Sequence, residues 1–197
     1  MKTLVDNIIA VYGQATATER RSGLVWYKRA KRSCNALAKA ENISLRHAVG
    51  VVAATSPNLK WEKNILTARQ VVQAYAQGIA PSDISGCMAY PMNRAKGYAV
   101  LRGANRSARI KATLNGPKVT AFYENIMGYD AVTIDGHARN IAYGERLALK
   151  DKKLSISKSE YVKLEHAYRK AAATLGLKAC DLQAITWTVW RRIHKIV

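Results

Sequence analysis

The chain has 197 residues, 49% of them apolar, with only 12 glycines and four prolines. This is the composition of a globular protein with a sizeable core, not of a disordered basic tail. Thirty-two Lys and Arg face 13 Asp and Glu, a net charge of +19, so a polyanion is the expected partner, and nucleic acid is the usual one. No apolar run is long enough to span a bilayer and no Lys-rich amphipathic tail stands apart, which sets a membrane aside.

The apolar periodicity is helical almost throughout. "MKTLVDNIIAVYG" reads as a short amphipathic helix ending near Gly13, not as a signal peptide, because Asp6 and Asn7 interrupt its apolar part. A second helix is expected to start near Gly23, with Tyr27, Ala30, Cys34, Leu37 and Ala38 on one stripe. Ser44 reads as the N-cap of the very apolar "LRHAVGVVAAT". Pro57 should push Ser56 out of helical geometry and end that helix. "KWEKNILTARQVVQAYAQG" is expected to turn Trp61, Ile65, Ala68, Val72 and Tyr75 inward and to stop at Gly78.

Beyond a loop between Pro81 and Pro91, "NRAKGYAVLRG" and "RSARIKATL" read as two short helices. "PKVTAFYENIMG" is a third, with Pro117 in its first turn and Gly128 at its end. A short extended run, "YDAVTI", leads into the helix "GHARNIAYGERLAL" and a polar linker, "KDKKLSI". Ser157 and Glu160 form a capping box for "SEYVKLEHAYRKAAATLG". The last helix spans about Asp181 to His194 and buries Leu182, Ile185, Val189 and Ile193. The expected architecture is all-α, with about ten helices.

Cys34, Cys87 and Cys180 include no C-x-x-C pair. They call for no zinc site or iron–sulfur cluster and read as free thiols in a reducing cytosol. No other metal or cofactor is called for. Asp6, Glu160 and Glu165 read as solvated helix charges, and Trp187 and Trp190 as core residues at helical spacing.

Between Asp83 and Glu124 there is no acid, but there are Arg94, Lys96, Arg102, Arg106, Arg109, Lys111 and Lys118. An uncompensated field of this kind repels itself, and a phosphate-binding surface is the reading that gives it a purpose. Inside the run, "ATLNGPKVTAFY" forms a helix, a tight turn at Asn115-Gly116 and a new helix. Gly116 is suited to a positive φ, and the amides opening the next helix suit an anion. Lys118, in the first turn of that helix, reads as a surface lysine, a phosphate contact or a nucleophile. Asp135 suits the N-cap before "GHARNIA". A carboxylate held still in that way could also stabilise the positive charge that builds on a sugar as an N-glycosidic bond breaks.

The segment "NGPKVTAFYENIMGYDAVTIDGHARNIAYG" resembles the signature of the helix-hairpin-helix DNA glycosylase superfamily. That signature is a hairpin reading roughly L-P-G-V-G-x-K-[TV]-A, followed by a V-D-x-H segment. Gly116-Pro117-Lys118 falls on its G-x-K and Ile134-Asp135-Gly136-His137 on its V-D-x-H. Leu114 stands at the first hairpin glycine, and Ala112-Thr113 at the usual Leu-Pro. "HAVGVVAATSPNLKWEKNILTARQVV" is similar to the family's early helix pair, and the likeness spans residues 44–145. "TSPNLKWEKN" and "LQAITWTVWRRIH" look more like divergent phage-encoded members associated with hypermodified thymine in DNA.

The resemblance implies a two-lobed helical fold with a DNA-holding cleft between lobes of residues 44–114 and of 1–43 plus 115–197. It implies Lys118 as nucleophile and Asp135 as catalytic aspartate. DNA contacts would come from Arg94, Lys96, Arg109, Lys111, Asn115, Gly116, His137 and Arg139. Ser56, Asn58 and Trp61 would line the pocket for a base flipped out of the stack. The expected activity is DNA N-glycosylase with abasic-site lyase action. The alternatives are a base-hypermodification enzyme on the same scaffold and a DNA-binding protein without catalysis. A monomer in the cytoplasm, the host's if phage-encoded, completes the expectation.

Overall fold

The computed structural model describes residues 3–148, 151 and 154–196. Among them are ten α-helices and no strand: α1 (Leu4–Gly13), α2 (Ala17–Ala40), α3 (Leu45–Thr55), α4 (Trp61–Ala76), α5 (Pro91–Arg102), α6 (Ser107–Leu114), α7 (Pro117–Met127), α8 (Gly136–Tyr143), α9 (Lys158–Thr174) and α10 (Ala179–Ile193). The chain divides into two compact units. Met1–Tyr27 with Gly128–Val197 form a terminal unit, and Lys28–Met127 form a central one.

The central unit is organised by α3, which packs against α4, α5, α6 and α7. Its sequence is apolar on every side, as a helix surrounded by others must be, and Val49, Val51, Val52 and Ala53 are fully buried. Each such valine contributes about 1.5–3 kcal/mol of burial. Gly50 is what lets the neighbours in: a Cβ there would lie 2.7 Å from Val100 Cγ1 and 2.9 Å from Ile110 Cγ2. The whole hairpin, α6 and α7, packs on α3 and belongs to this unit. The boundary thus falls after Met127, not at residue 115, because Ala121, Tyr123 and Ile126 of α7 are buried.

The terminal unit gathers α1, α8, α9 and α10 around Ile8, Ile134, Ile141, Leu164, Leu182 and Val189. Here α2 starts at Ala17, six residues before Gly23. Thr16 Oγ1 accepts from Glu19 N at 3.2 Å, and Glu19 Oε2 accepts from Thr16 N at 2.8 Å. This capping box in "TATE" overrides the glycine. Gly23 is an interior contact instead: a Cβ would lie 2.8 Å from Ile185 Cα. A second box, Thr3 with Asp6, opens α1, so Asp6 is a cap and not a merely solvated charge.

Other elements differ from expectation in instructive ways. Ser56 keeps helical geometry (φ −63°, ψ −26°) despite Pro57, and it is Asn58 that takes φ +63°. On α4 the inward face carries Asn64 and Thr67 as well as Ala68, Val71 and Val72, while Trp61, Ile65 and Tyr75 are half-buried. Burial of Asn64 is possible because Thr55 Oγ1 donates to its Oδ1 at 2.7 Å and its Nδ2 donates to Val52 O at 3.1 Å. Helix α8 stops at Tyr143, where Gly144 takes φ +67°, so residues 145–148 are not helical. Residues 150, 152 and 153 of the linker expected at 150–156 lie outside the described residues. No helix among the described residues is long and apolar enough to cross a membrane.

Candidate functional site

The hairpin turn is made by Asn115, in left-handed geometry (φ 46°, ψ 37°), and not by Gly116. Asn tolerates this region better than other non-glycine residues. Leu114, at the place of the signature's first glycine, is fully buried, so an apolar anchor holds the turn. Gly116 O accepts from Thr120 N at 2.9 Å, which makes Gly116 the start of α7. Pro117 and then Lys118 follow in its first turn, with no acid there. Lys118 is half-buried and has no hydrogen-bond or ion-pair partner among the described residues.

The other cations of the acid-free run divide into two sets. Lys96 Nζ donates to Leu114 O at 2.7 Å, closing the end of α6. Lys111 pairs with Glu124 at 2.7 Å across the two hairpin helices. Arg94 Nη1 donates to Ile84 O at 3.2 Å, securing the loop before α5. These three, expected on DNA, hold the central unit together. Arg102, Arg106 and Arg109 are exposed and have no such partner among the described residues. Arg106 stands at the N-cap of α6 and Arg109 in its first turn, again with no acid there.

Of the expected pocket residues, Ser56 Oγ donates to Ala53 O at 2.9 Å, Asn58 Nδ2 donates to the Tyr90 hydroxyl at 3.1 Å, and Trp61 is half-buried at the first turn of α4. Tyr90, 53% exposed, is the neighbour that sequence reasoning missed. Its link to Asn58 crosses 32 residues, and no local pattern signals it.

In the terminal unit Asp135 is the N-cap of α8, and its Oδ1 accepts from Ala138 N at 2.8 Å. Its carboxylate has no cation partner among the described residues, whereas Glu19, Asp130, Glu145, Glu160 and Glu165 are all in ion pairs. Arg139 pairs through Nε with Glu160 and through Nη1 with Glu145, both at 3.1 Å, and lies 4.5 Å over the Tyr143 ring. Glu160 accordingly receives Arg139 while its own backbone amide donates to Ser157 Oγ.

His137 is half-buried, with Nδ1 enclosed and unpartnered among the described residues. The His194 imidazole is held below its ordinary pKa, first by burial and then by Arg146 and His137. Burial raises the pKa of the Tyr168 phenol and the Asp135 charge adds to that, while a hydrogen bond with Thr186 opposes it. The cysteines are free; burial pushes Cys34 and Cys180 up to about 12, where a thiol is inert. Among the described residues no group of three His, Cys, Asp or Glu side chains could hold a metal ion.

The candidate residues therefore fall into two sets: Lys118 with the unpaired arginines in the central unit, and Asp135 with His137 in the terminal one. No curated protein and no solved structure matches the chain. A family model does, over residues 1–194, and the chain belongs to that family of unknown function, DUF7178.

Proposed function

We propose that the protein binds DNA through the hairpin of its central unit and acts on it as an N-glycosylase with abasic-site lyase action. The observation that carries the binding half is that both hairpin helices open on cations and neither has an acid in its first turn. Cations at the positive end of a helix dipole cost a few tenths of a kcal/mol or more each. Arg106, Arg109 and Lys118 accept that cost with no partner, an arrangement suited to backbone phosphates. The family likeness of the "GPK" and "IDGH" segments carries the chemical half.

In this reading Asp135 presents Oδ2 to the sugar and stabilises the positive charge that develops there. The Lys118 nitrogen forms a bond to the anomeric carbon as the bond to the base breaks. The electron pair leaves with the base, which takes up a proton. The nitrogen's lone pair then expels the ring oxygen from the anomeric carbon, the oxygen takes up the proton that the nitrogen loses, and the resulting Schiff base is the species from which strand cleavage follows. The capping role of Asp135 is complete without any chemistry, and this favours DNA binding alone as the second reading.

Borohydride trapping on a duplex with one abasic site tests the amine: a covalent adduct is expected with the wild type and none with Lys118→Ala. No adduct, or one that survives Lys118→Ala, overturns the lyase action. Mass spectrometry of duplexes carrying single damaged or modified bases tests the rest. Loss of free base that disappears in Asp135→Asn is expected. An added mass on the base would instead mark the hypermodification enzyme of the phage-type likeness, and binding without either would leave the non-catalytic reading.

A further inference from the structure

Asp135 follows residues 129–134, which are neither helix nor strand, and no strand lies among the described residues. The buried backbone groups of 129–134 still need partners. In an extended chain the carbonyl of one residue and the amide two residues on lie along the same edge, where a second strand would bond both. Here one phenol takes that place. The Tyr161 hydroxyl donates to Val132 O at 2.7 Å and accepts from Ile134 N at 3.2 Å. Val132 and Ile134 are 1% exposed and Tyr161 is 6% exposed, so water cannot stand in for the hydroxyl.

The same helix reaches the other side of Asp135. Glu160, the residue before Tyr161, accepts from Arg139 Nε of α8 at 3.1 Å. Two turns on, the Tyr168 hydroxyl donates to Ala138 O at 3.3 Å. Ala138 is the residue whose amide holds Asp135 Oδ1. Helix α9 thus fixes the chain immediately before Asp135 and the first turn immediately after it, and the carboxylate sits between the two grips.

We infer that Tyr161 is a positioning residue for Asp135: its hydroxyl replaces the missing strand and fixes where the carboxylate points. This rests on Asp135 being the reacting carboxylate proposed above. Tyr161→Phe keeps the ring and its packing but leaves a buried carbonyl and a buried amide unpaired. Misplacement of a reacting group on this scale costs up to about 100-fold in rate.

The test compares Tyr161→Phe with Tyr98→Phe, which removes another buried phenol, bonded to Ile79 O in the central unit and outside the hairpin. On a duplex from which the wild type releases base, Tyr161→Phe is expected to lower kcat about 10- to 100-fold with KM within about twofold. Tyr98→Phe should leave both constants unchanged at a similar loss of thermal stability. Equal losses in the two variants, or no loss in Tyr161→Phe, overturn the inference. Amide exchange gives a second reading independent of activity. Exchange at Ile134 and Ala138 should be about 10-fold faster in Tyr161→Phe while that of α10 is unchanged. If the wild type releases no base from any duplex but this acceleration is seen, the glycosylase reading fails and the positioning of Asp135 stands; unchanged exchange overturns the positioning itself.

Discussion

The two units carry equal numbers of cations and very different charge. The central unit has 16 Lys and Arg against four acids, a net of +12, and the terminal unit has 16 against nine, a net of +7. The acids of the terminal unit are also placed where helix physics wants them. Asp6, Glu19, Glu160 and Asp181 lie in the first turns of α1, α2, α9 and α10, and Asp135 caps α8. In the central unit only α4 has an acid in its first turn; α3, α5, α6 and α7 have none. Every helix that starts in the terminal unit has an acid at its opening, whereas α3, α5, α6 and α7 open without one, α3 on the neutral cap Ser44. What separates them is thus the placement of acids, a feature that a whole-chain charge conceals.

The largest effect should come from the glycines on which the units close. Gly23→Ala would drive a Cβ to 2.8 Å from the Ile185 backbone, which cannot rotate away. A loss of about 3 kcal/mol or more is expected in denaturant unfolding, even after the roughly 1 kcal/mol that alanine gains in a helix. Gly50→Ala meets only the side-chain ends of Val100 and Ile110, so about 1–2 kcal/mol is expected. If the order of the two variants reverses, backbone proximity is not what limits the terminal unit.

Next in size is the charge contrast. Arg102, Arg106 and Arg109 all changed to Ala should lower affinity for duplex DNA by about 10- to 100-fold near 0.1 M salt, and flatten the salt dependence by about two to three charges. Removing three exposed cations of the terminal unit, Lys158, Lys170 and Lys178, should change affinity by about threefold or less. Filter-binding or anisotropy titrations across a salt series read both. Equal effects from the two triples would mean that net charge alone, and not the uncapped hairpin, governs binding.

The same contrast explains what the sequence discloses and what it hides. Helix α3 is legible because it is apolar all round, and the ends of α1, α3 and α9 because caps and glycines are local signals. The "TATE" box was equally local, yet Gly23 drew the boundary away from it; its glycine serves a contact 162 residues distant in sequence, with Ile185. The buried face of α4 was displaced because Asn64, polar by type, finds Thr55 on another helix. Lys96, Lys111 and Arg139 look on paper like Arg102 and Arg106, and only their partners Leu114, Glu124 and Glu160 separate them. For Asp135 its role as a cap is legible. Its support from Tyr161 is not, since the phenol lies 27 residues beyond Ile134 at a position that reads simply as core.

The smallest effect concerns how the terminal unit uses one of its acids. Burial alone would raise the pKa of Glu19, but hydrogen bonds from Arg192 and Thr16 outweigh it and hold the carboxyl below its ordinary range. A group whose pKa is lower in the folded state stabilises the fold above its unfolded pKa, about 4.3 for glutamate, and loses that contribution as pH falls through the folded value. Glu19→Gln keeps the side chain's shape but not its charge on Arg192. Near pH 7 it should cost about 1 kcal/mol, the scale of a lost cap, and lower the melting temperature by a few degrees. The gap from the wild type should narrow as pH falls below about 4.3 and close only below the folded value, where the wild-type carboxyl is protonated as well. Thermal melts across that range decide it: a gap that does not depend on pH would show that packing at Glu19, and not its charge, joins the start of α2 to Arg192 of α10.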